Sequence, residues 1–292
     1  MKERKLKLMD EWAYFILGVS TCVLSFFLLK SLISNPEFEK KNYRNIGIPS
    51  LGGLVVLLSI IFAELFIVLL PESQKASSFG LSAFVIVFGF ALIGLLDDLL
   101  GDKDKQGFKG HISELLKGRL TTGSLKLFGG PAIVLLAFSE NIPANGYLNV
   151  IIDVICISLF ANLFNLLDLS PGRTTKFALL TLIPMLLLGD KQVFMYSFLG
   201  IILLSLVFDI REKYMLGDTG SNLIGAIVGI AFVQAFNSQD TLFIAIGVLI
   251  LNIISEFISF SRIIQGFLPL RIFEEIGQLQ TRKSWAKERR QK

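Results

Sequence analysis

Long uninterrupted apolar runs recur from one end of this chain to the other, and no other feature constrains its fold as strongly. A helix needs roughly 20 apolar residues to cross the hydrocarbon core of a bilayer, which is about 30 Å thick. We interpret nine runs as spans, of which the fourth and sixth are short: about 12–33, 51–70, 79–100, 125–139, 148–168, 174–189, 192–208, 219–237 and 241–261. The sequence therefore predicts an all-α fold, a polytopic membrane bundle of about nine transmembrane helices.

The composition supports a membrane protein. Of the 292 residues, 53% are hydrophobic and the mean hydropathy is +0.66, whereas soluble domains are about 45–50% apolar. Cys22 and Cys156 lie inside apolar runs, so they indicate neither a disulfide framework nor a cysteine-rich zinc site. Lys30 closes the first run, where a signal peptide would have a small-residue cleavage site, so cleavage is not expected. We expect one transmembrane domain over residues 1–261 and a basic C-terminal segment over residues 262–292.

Lysine and arginine are unevenly distributed between the connections, and their distribution predicts the orientation of the bundle. The connections after the first, third, fifth and seventh spans and the C-terminal segment hold most of them: Lys40, Lys41, Arg44, Lys103, Lys105, Lys109, Lys117, Arg119, Arg173, Lys176, Arg211, Lys213 and residues 282–292. By the positive-inside rule these connections face the cytoplasm. This places the N-terminus outside and the C-terminus in the cytoplasm of a multi-pass plasma membrane protein. The basic stretch 1–11 contradicts this orientation; we take the four later loops to outweigh it, and a miscounted span is the alternative.

Four polar segments interrupt the apolar pattern, all on the predicted cytoplasmic side, and polar groups kept next to hydrocarbon tend to be functional. The first segment, residues 48–53, opens the second span with Pro49 followed by Gly52 and Gly53. Proline is tolerated near a helix start, and glycines permit close backbone approach. A tight structural turn and a ligand contact are equally compatible with this segment.

The second polar segment is the pair Asp97 and Asp98, which ends the third span. Two adjacent carboxylates there face the negative end of the helix dipole. They therefore need a cation, either a bound Mg²⁺ or nearby Lys and Arg side chains. Two solvated charges at the interface are the alternative, which we disfavour because charges beside a long apolar span are costly.

The third polar segment is a stripe of Asn162, Asn165 and Asp168 at the end of the fifth span. Their spacing keeps the three side chains within about 120° of one face, because each residue turns about 100°. Such a stripe can coordinate a hard cation or hold polar substrate groups. Hydrogen bonding between helices is the alternative, since asparagine commonly supplies it in membranes. Three such residues ending at the surface favour a functional role.

The fourth polar segment, residues 217–221, opens the eighth span. Free backbone N–H groups and the positive end of the dipole favour an anion such as phosphate at a helix start. Asp218 would repel that anion unless a divalent metal bridged them, as Mg²⁺ does between carboxylates and phosphate oxygens. Asp218 as the N-cap of the helix is the alternative. Together with the other carboxylates, the segment favours metal binding.

These segments together resemble the motifs of the polyprenyl-phosphate N-acetylhexosamine-1-phosphate transferases. That superfamily includes phospho-N-acetylmuramoyl-pentapeptide transferase and the enzymes that begin O-antigen and teichoic acid synthesis. The Pro-x-x-Gly-Gly opening, the paired aspartates, the Asn-x-x-Asn-x-x-Asp stripe and the Gly-Asp-Thr-Gly-Ser segment follow in the family's order over roughly residues 35–275. Each motif is weak alone, and four in order on one membrane face are specific.

The resemblance implies a Mg²⁺-dependent enzyme that initiates a cell-envelope glycan. It would transfer a phospho-sugar from a UDP-sugar to a polyprenyl phosphate, such as undecaprenyl phosphate, in the cytoplasmic leaflet and release UMP. The implied partners are the lipid phosphate, the nucleotide sugar and the membrane, with no nucleic acid, and part of the family forms homodimers. The residues suit this chemistry, because phosphoryl transfer needs positioning and charge neutralisation more than covalent help, and a metal can clamp the diphosphate.

The same resemblance implies roles for individual residues. Asp218 is the principal expected Mg²⁺ ligand, and Asp97 and Asp98 are expected to assist the metal or the lipid phosphate. Asn165 and Asp168 are expected to face the metal–diphosphate end of the substrate. The other expected substrate contacts are Lys126, which resembles a family lysine that meets phosphate, and Asn162, Gly217, Gly220 and Ser221.

Two departures from the family pattern distinguish this chain. After Asp168 the family usually continues to a second acid, whereas here Pro171 takes its place and Arg173 and Lys176 follow. The family's histidine cluster is absent from the last loop, and the single histidine, His111, lies in another loop. The metal–phosphate half of the site is therefore retained while the donor half is altered, with Arg173 and Lys176 as candidate replacement contacts for phosphate.

Two alternatives to an enzyme follow from these observations. A catalytically degenerate relative that binds polyprenyl phosphate is favoured by the two departures. A transporter is the other, since transporters place ionisable residues near the membrane midplane, and Glu64 and Glu256 are its candidates. We favour the enzyme because the principal polar groups lie at the membrane surface.

Overall fold

The fold is known from a computed structural model that describes residues 2–42, 45–70, 80–101, 117–118, 121–142, 146–188 and 193–279. Several basic residues used to predict the orientation, and His111, lie outside these ranges: Arg44, Lys103, Lys105, Lys109, Arg119 and residues 282–292.

The described helices follow the chain in this order: α1 (Lys2–Ile33), α2 (Gly52–Leu69), α3 (Leu81–Leu100), α4 (Thr122–Ala137), α5 (Tyr147–Leu167), α6 (Arg173–Leu188), α7 (Val193–Ile210), α8 (Gly217–Ala235), α9 (Ser238–Phe257), α10 (Phe260–Gly266) and α11 (Leu268–Glu275). Two single 3₁₀ turns occupy Pro36–Phe38 and Ser139–Asn141. Two short strands that the all-α prediction did not include, β1 (Glu39–Lys41) and β2 (Gly47–Pro49), pair antiparallel between α1 and α2.

Five described helices are long and apolar enough to cross a membrane: Glu11–Ile33, α2, α3, α5 and α9. The expected polytopic helical membrane protein is thereby confirmed. Each of the nine predicted spans overlaps one of the helices α1 to α9, while the count of nine spans and the orientation remain predictions. Helix α4 and residues Phe194–Ile210 of α7 are apolar but shorter.

Helix α8 lies at the centre of the bundle. It packs against α5, α3, α2 and α6, and every residue from Thr219 to Ala231 is buried. A helix that is buried on all sides needs no lipid-facing stripe. This explains how α8 can carry several glycines and polar residues and still form part of a membrane domain.

Glycines allow the neighbouring helices to approach the first turn of α8 closely. A Cβ atom at Gly94 of α3 would collide with the backbone of Asp218, and one at Gly53 of α2 would collide with the backbone of Gly220. Small residues at such crossings let two helix backbones touch, which is a common way to join helices in membranes. The ends of α2, α3 and α8 are therefore held together.

The segment that opens the second span has a structural role in this junction. Its backbone pairs with the residues that lead into α8, since Met215 N donates to Pro49 O at 2.7 Å and Gly52 N donates to Met215 O at 2.9 Å. Gly53 N donates to Leu216 O at 2.9 Å. Of the two interpretations left open by the sequence, these contacts favour the tight structural turn.

The Gly94 contact predicts a large effect for a single methyl group. Gly94→Ala is expected to lower the thermal midpoint in detergent by several degrees, because overpacking costs about 1–3 kcal/mol. A thiol-reactive dye can follow the unfolding, since Cys22 and Cys156 are both buried. Gly247→Ala in α9 is the matched control, because nothing lies within 4 Å of the added Cβ atom there. Equal midpoints for the two variants would contradict the close α3–α8 contact.

Candidate active site

Three helix ends meet at the predicted site. Asp97 lies in the last turn of α3, Asp218 lies in the first turn of α8, and Lys126 lies in the second turn of α4. The Lys126 ammonium bonds to the carboxylates of both Asp97 and Asp218. The structure thus brings together three predicted site residues, with one cation shared between two carboxylates.

Local structure places Lys126 at this point. Helix α4 starts with a capping box, in which Thr121 Oγ1 accepts from Ser124 N at 3.1 Å and Ser124 Oγ accepts from Thr121 N at 2.9 Å. A capping box fixes the first residue of a helix and so the direction of the side chains that follow. Lys126 is 19% exposed, and Asp97 is 20% exposed. The side chains of the cluster are therefore largely but not completely buried.

Asp98 points away from this cluster. Its carboxylate accepts from the backbone N–H groups of Asp218 at 3.1 Å and Thr219 at 2.9 Å. It also accepts from Thr219 Oγ1 at 2.8 Å and from Lys40 Nζ at 2.9 Å. The first amides of α8, predicted to be free for a phosphate, are engaged by this carboxylate from α3. That part of the prediction is corrected by the contact between the two helix ends.

The start of α8 differs from the interpretation of Asp218 as the N-cap of the helix, while metal binding by Asp218 remains a prediction. The N-cap is Leu216, which makes no side-chain capping bond, and the Asp218 side chain bonds to Lys126. Gly217 has a φ of +67°, and a Cβ there would lie 2.7 Å from Asp98 Oδ2. Glycine at this position allows the close approach of Asp98. Substrate contacts by Gly217 and Gly220 remain predictions, since the observed contacts of both are with neighbouring helices.

The polar stripe on α5 is divided among three neighbouring helices. Asn162 Nδ2 donates to Asn252 Oδ1 of α9 at 2.7 Å. Asn165 Oδ1 accepts from Ser221 Oγ of α8 at 3.1 Å, and Asp168 Oδ1 accepts from Thr174 Oγ1 of α6 at 3.0 Å. For Asn162 the contact favours the interhelical interpretation, and its role toward substrate remains a prediction.

Asp168 lies one residue beyond the end of α5, beside a second carboxylate. Burial raises the pKa of Asp168 well above its usual range, and the neighbouring Asp209 raises that pKa further. Asp209 is itself buried and accepts from Gly172 N at 2.8 Å. Sequence reasoning missed Asp209, because no local pattern signals that the end of α7 meets the α5–α6 turn.

The two basic residues after Asp168 hold the C-terminal helix α11 against the bundle. Arg173 is 1% exposed and forms an ion pair with Glu274, which is 4% exposed. Lys176 Nζ donates to the carbonyl groups of Phe273 at 3.0 Å, Glu274 at 2.7 Å and Ile276 at 2.7 Å. Lysine is well placed there, because the carbonyls at the end of a helix lack helical partners. The observed contacts of Arg173 favour a structural role, and its contact with a substrate phosphate remains a prediction.

Gln278 completes this attachment. Its Nε2 atom donates to Ser170 Oγ and to Pro171 O, each at 3.0 Å. We call the four residues Arg173, Lys176, Glu274 and Gln278 the C-terminal clasp. The clasp connects the segment that lacks the family's histidines with the turn that lacks its second acid.

The carboxylates suit a cation that is shared with a substrate. In the parts of the chain that the structure describes, no three His, Cys, Asp or Glu side chains are grouped to hold a metal ion. Mg²⁺ is usually bound by one or two carboxylates together with waters and phosphate oxygens. Asp97 and Asp218 already share the Lys126 cation. Asp97 and Asp218 are the residues that could hold a Mg²⁺ ion completed by phosphate oxygens, and this binding remains a prediction.

Comparison with known proteins gives the family. Residues 80–236, which include the whole of helices α3 to α8, match the family described as Glycosyl transferase family 4. The chain belongs to this family. The superfamily that the motifs resemble is thereby confirmed, and the matched region contains Asp97, Lys126 and Asp218.

Curated relatives of the family are similar along most of the chain. The phospho-N-acetylmuramoyl-pentapeptide-transferase of Halalkalibacterium halodurans is 25% identical over 244 residues, which cover 77% of this chain and 73% of the relative. The enzyme of that name from Staphylococcus aureus is 25% identical over 259 residues, covering 80% and 79% respectively. The similarity thus extends beyond the matched family region.

We predict that the buried ion pair of the clasp, Arg173 with Glu274, contributes to the stability of the protein. Arg173→Met leaves Glu274 buried without its partner, and breaking such a pair costs about 3–5 kcal/mol. The thermal midpoint is expected to fall, and protease should cleave near α11 sooner. The double variant Arg173→Met with Glu274→Leu should recover part of the loss, because no unpaired charge remains. Arg262→Met, at an exposed position of α10, is the control; an effect as large as that of Arg173→Met would contradict the clasp.

Proposed function

We propose that the protein transfers a phospho-sugar from a UDP-sugar to a polyprenyl phosphate, with Mg²⁺, and so initiates a cell-envelope glycan. The observation that carries the proposal is the cation of Lys126 held between Asp97 and Asp218 at the junction of three helix ends. This arrangement lies inside the region that matches Glycosyl transferase family 4. The names of the curated relatives support a phospho-sugar transferase.

The proposed reaction is a displacement at phosphorus. An oxygen of the acceptor phosphate attacks the sugar-bearing phosphorus of the donor, the bond to the bridging oxygen breaks, and UMP leaves. The product is a polyprenyl diphospho-sugar. The acceptor phosphate is already anionic at neutral pH, so a strong general base is not required. Positioning and neutralisation of charge account for most catalysis in this class of reaction.

The residues of the cluster can supply both requirements. Lys126 provides a fixed ammonium for phosphate oxygens, and Asp97 and Asp218 keep that ammonium in place through direct bonds. A bound Mg²⁺ would polarise the phosphorus and stabilise the departing UMP. Asn165, held by Ser221 at 3.1 Å, presents its amide beside the same helix start. The pair of carboxylates is the proposed Mg²⁺ site.

We also propose that the site faces the cytoplasm of the plasma membrane. Connections that the sequence assigns to one side make contact with each other around the site. Lys40, after α1, bonds to Asp98 at the end of α3. Asn42 Nδ2 donates to Glu212 Oε2, after α7, at 3.1 Å. Since these connections are rich in lysine and arginine, the positive-inside rule supports a cytoplasmic location.

A transfer assay tests the proposed function. The purified protein is given undecaprenyl phosphate, Mg²⁺ and radiolabelled UDP-N-acetylhexosamines, and labelled lipid is measured. Asp218→Asn is expected to reduce its formation about a hundredfold or more, the usual size of effect when one preorganised electrostatic group is lost. The matched control is Asp240→Asn, at an exposed position near the start of α9.

The outcomes separate the candidate functions. Equal activity of Asp218→Asn and Asp240→Asn would contradict the assignment of the site. Absence of labelled lipid with every donor, together with retained binding of undecaprenyl phosphate, would contradict the enzyme and favour the accessory lipid-phosphate binder.

Lys126 gives a second test that needs no substrate. Lys126→Met leaves two carboxylates together without their shared cation, so the variant should be less stable than the wild type in EDTA. Addition of Mg²⁺ should raise its thermal midpoint more than that of the wild type, because the metal replaces the missing charge. Lys213→Met, at an exposed position after α7, should behave like the wild type. The same Mg²⁺ response in all three proteins would contradict a cation site at Asp97 and Asp218.

A further inference from the structure

The adjacent carboxylates Asp97 and Asp98 have different surroundings, and this difference suggests separate roles. We infer that Asp98 is a positioning residue: it fixes the first turn of α8 against the end of α3 and so places Asp218 beside Asp97. The catalytic consequence rests on the proposed function, whereas the anchoring itself does not.

The acceptor capacity of Asp98 is already used by the protein. Four donors reach its two oxygens: Oδ1 accepts from Asp218 N and Lys40 Nζ, and Oδ2 accepts from Thr219 N and Thr219 Oγ1. An ionised carboxylate offers about four lone-pair sites. The Asp98 side chain is also only 2% exposed. Protein donors therefore already occupy the acceptor positions of this carboxylate.

Asp98 supplies hydrogen-bond acceptors for the first backbone N–H groups of α8. The first N–H groups of a helix have no partner within the helix, and the N-cap residue Leu216 supplies no side-chain bond. Asp98 of another helix accepts two of these groups, and its negative charge suits the positive end of the α8 dipole. The two helix ends are thus joined by a charged cap supplied from α3.

Spacing along α3 explains how one pair of residues serves two tasks. Gly94 and Asp98 are four residues apart and so lie on one face of the helix, and both contact the first turn of α8. Asp97 is rotated by about 100° from Asp98 and bonds to Lys126 of α4. The face of α3 that carries Gly94 and Asp98 therefore packs against α8. The neighbouring face carries Asp97, which belongs to the cluster with Lys126 and Asp218.

Lys40 completes the anchor. Its ammonium bonds to Asp98 at 2.9 Å and balances this carboxylate, whose side chain is almost wholly buried. Buried charges in proteins are normally paired in this way. Asp98 consequently needs no metal ion for neutralisation, in contrast to the pair Asp97 and Asp218, which shares a single ammonium.

Hydrogen exchange measures the anchor directly. In the full-length protein in detergent, without metal or substrate, Asp98→Asn is expected to speed exchange of the Asp218 and Thr219 amides at least tenfold. Thr219→Val, which keeps Asp98 and a similar side-chain volume, should speed exchange at the same amides by a smaller factor. Asp97→Asn is the matched control and should leave their exchange unchanged. Unchanged exchange in Asp98→Asn would overturn the anchor.

A double-mutant cycle tests the consequence for turnover. Asp98→Asn and Thr219→Val should each lower kcat, and the double variant should be no worse than Asp98→Asn, because both changes act through one contact. For Asp97→Asn combined with Thr219→Val, the fold-reduction in kcat should equal the product of the two single fold-reductions. If the fold-reductions in kcat multiply for Asp98→Asn combined with Thr219→Val, then Asp98 acts on the reaction independently of its contact with Thr219. That result would overturn the positioning role.

Metal binding separates this inference from the proposed function. Mn²⁺ affinity, measured by electron paramagnetic resonance without substrate, should fall much more in Asp97→Asn than in Asp98→Asn. Equal losses in the two variants would make Asp98 a ligand and overturn the inference. If the wild type turns over no donor, the proposed function fails, while the exchange and Mn²⁺ measurements still decide whether Asp98 anchors α8.

Discussion

Charge neutralisation at the junction of α3, α4 and α8 is the constraint on which the site depends. Asp97, Asp98 and Asp218 are brought together where the helix ends meet, and like charges repel strongly where water is partly excluded. Lys126 and Lys40 oppose this repulsion, each bonded to carboxylates of the group. Lys126 comes from helix α4 and Lys40 from the connection after α1, so neutralisation also ties these two elements to the end of α3. The site and the packing around it are therefore one electrostatic unit.

Helix α8 makes this unit possible because it is buried on all sides. Glycines of α2 and α3 let these helices contact its backbone. Gly225 and Gly229 of α8 do the same for α5, where added Cβ atoms would meet Phe160, Ala161 and Ile157. Interfaces of this kind keep neighbouring backbones close and rigid. A rigid first turn of α8 is what a phosphoryl transferase requires, since misplacement of a reacting group by about 1 Å can cost a hundredfold in rate.

The sequence predicted the membrane helices and the grouping of the carboxylates, because apolar length and charges beside hydrocarbon are local signals. It could not distinguish Asp97 from Asp98, since their partners Lys126, Lys40 and Thr219 come from distant parts of the chain. It predicted the α5 stripe as one unit, whereas the structure divides the stripe among three helices. Contacts between residues that are far apart in the sequence are determined by how the helices pack. Composition and periodicity do not predict that packing.

The two departures from the family pattern meet in space and form one structural feature. Pro171 and Arg173 follow Asp168, while Glu274 and Gln278 replace the region where the family carries histidines, and the clasp bonds these two segments to each other. Here Glu274 is 4% exposed and pairs with Arg173, and Lys176 holds the carbonyls at the end of α11. The segment after Asp168 and the C-terminal segment therefore support each other structurally, while contacts of these residues with a donor remain predictions.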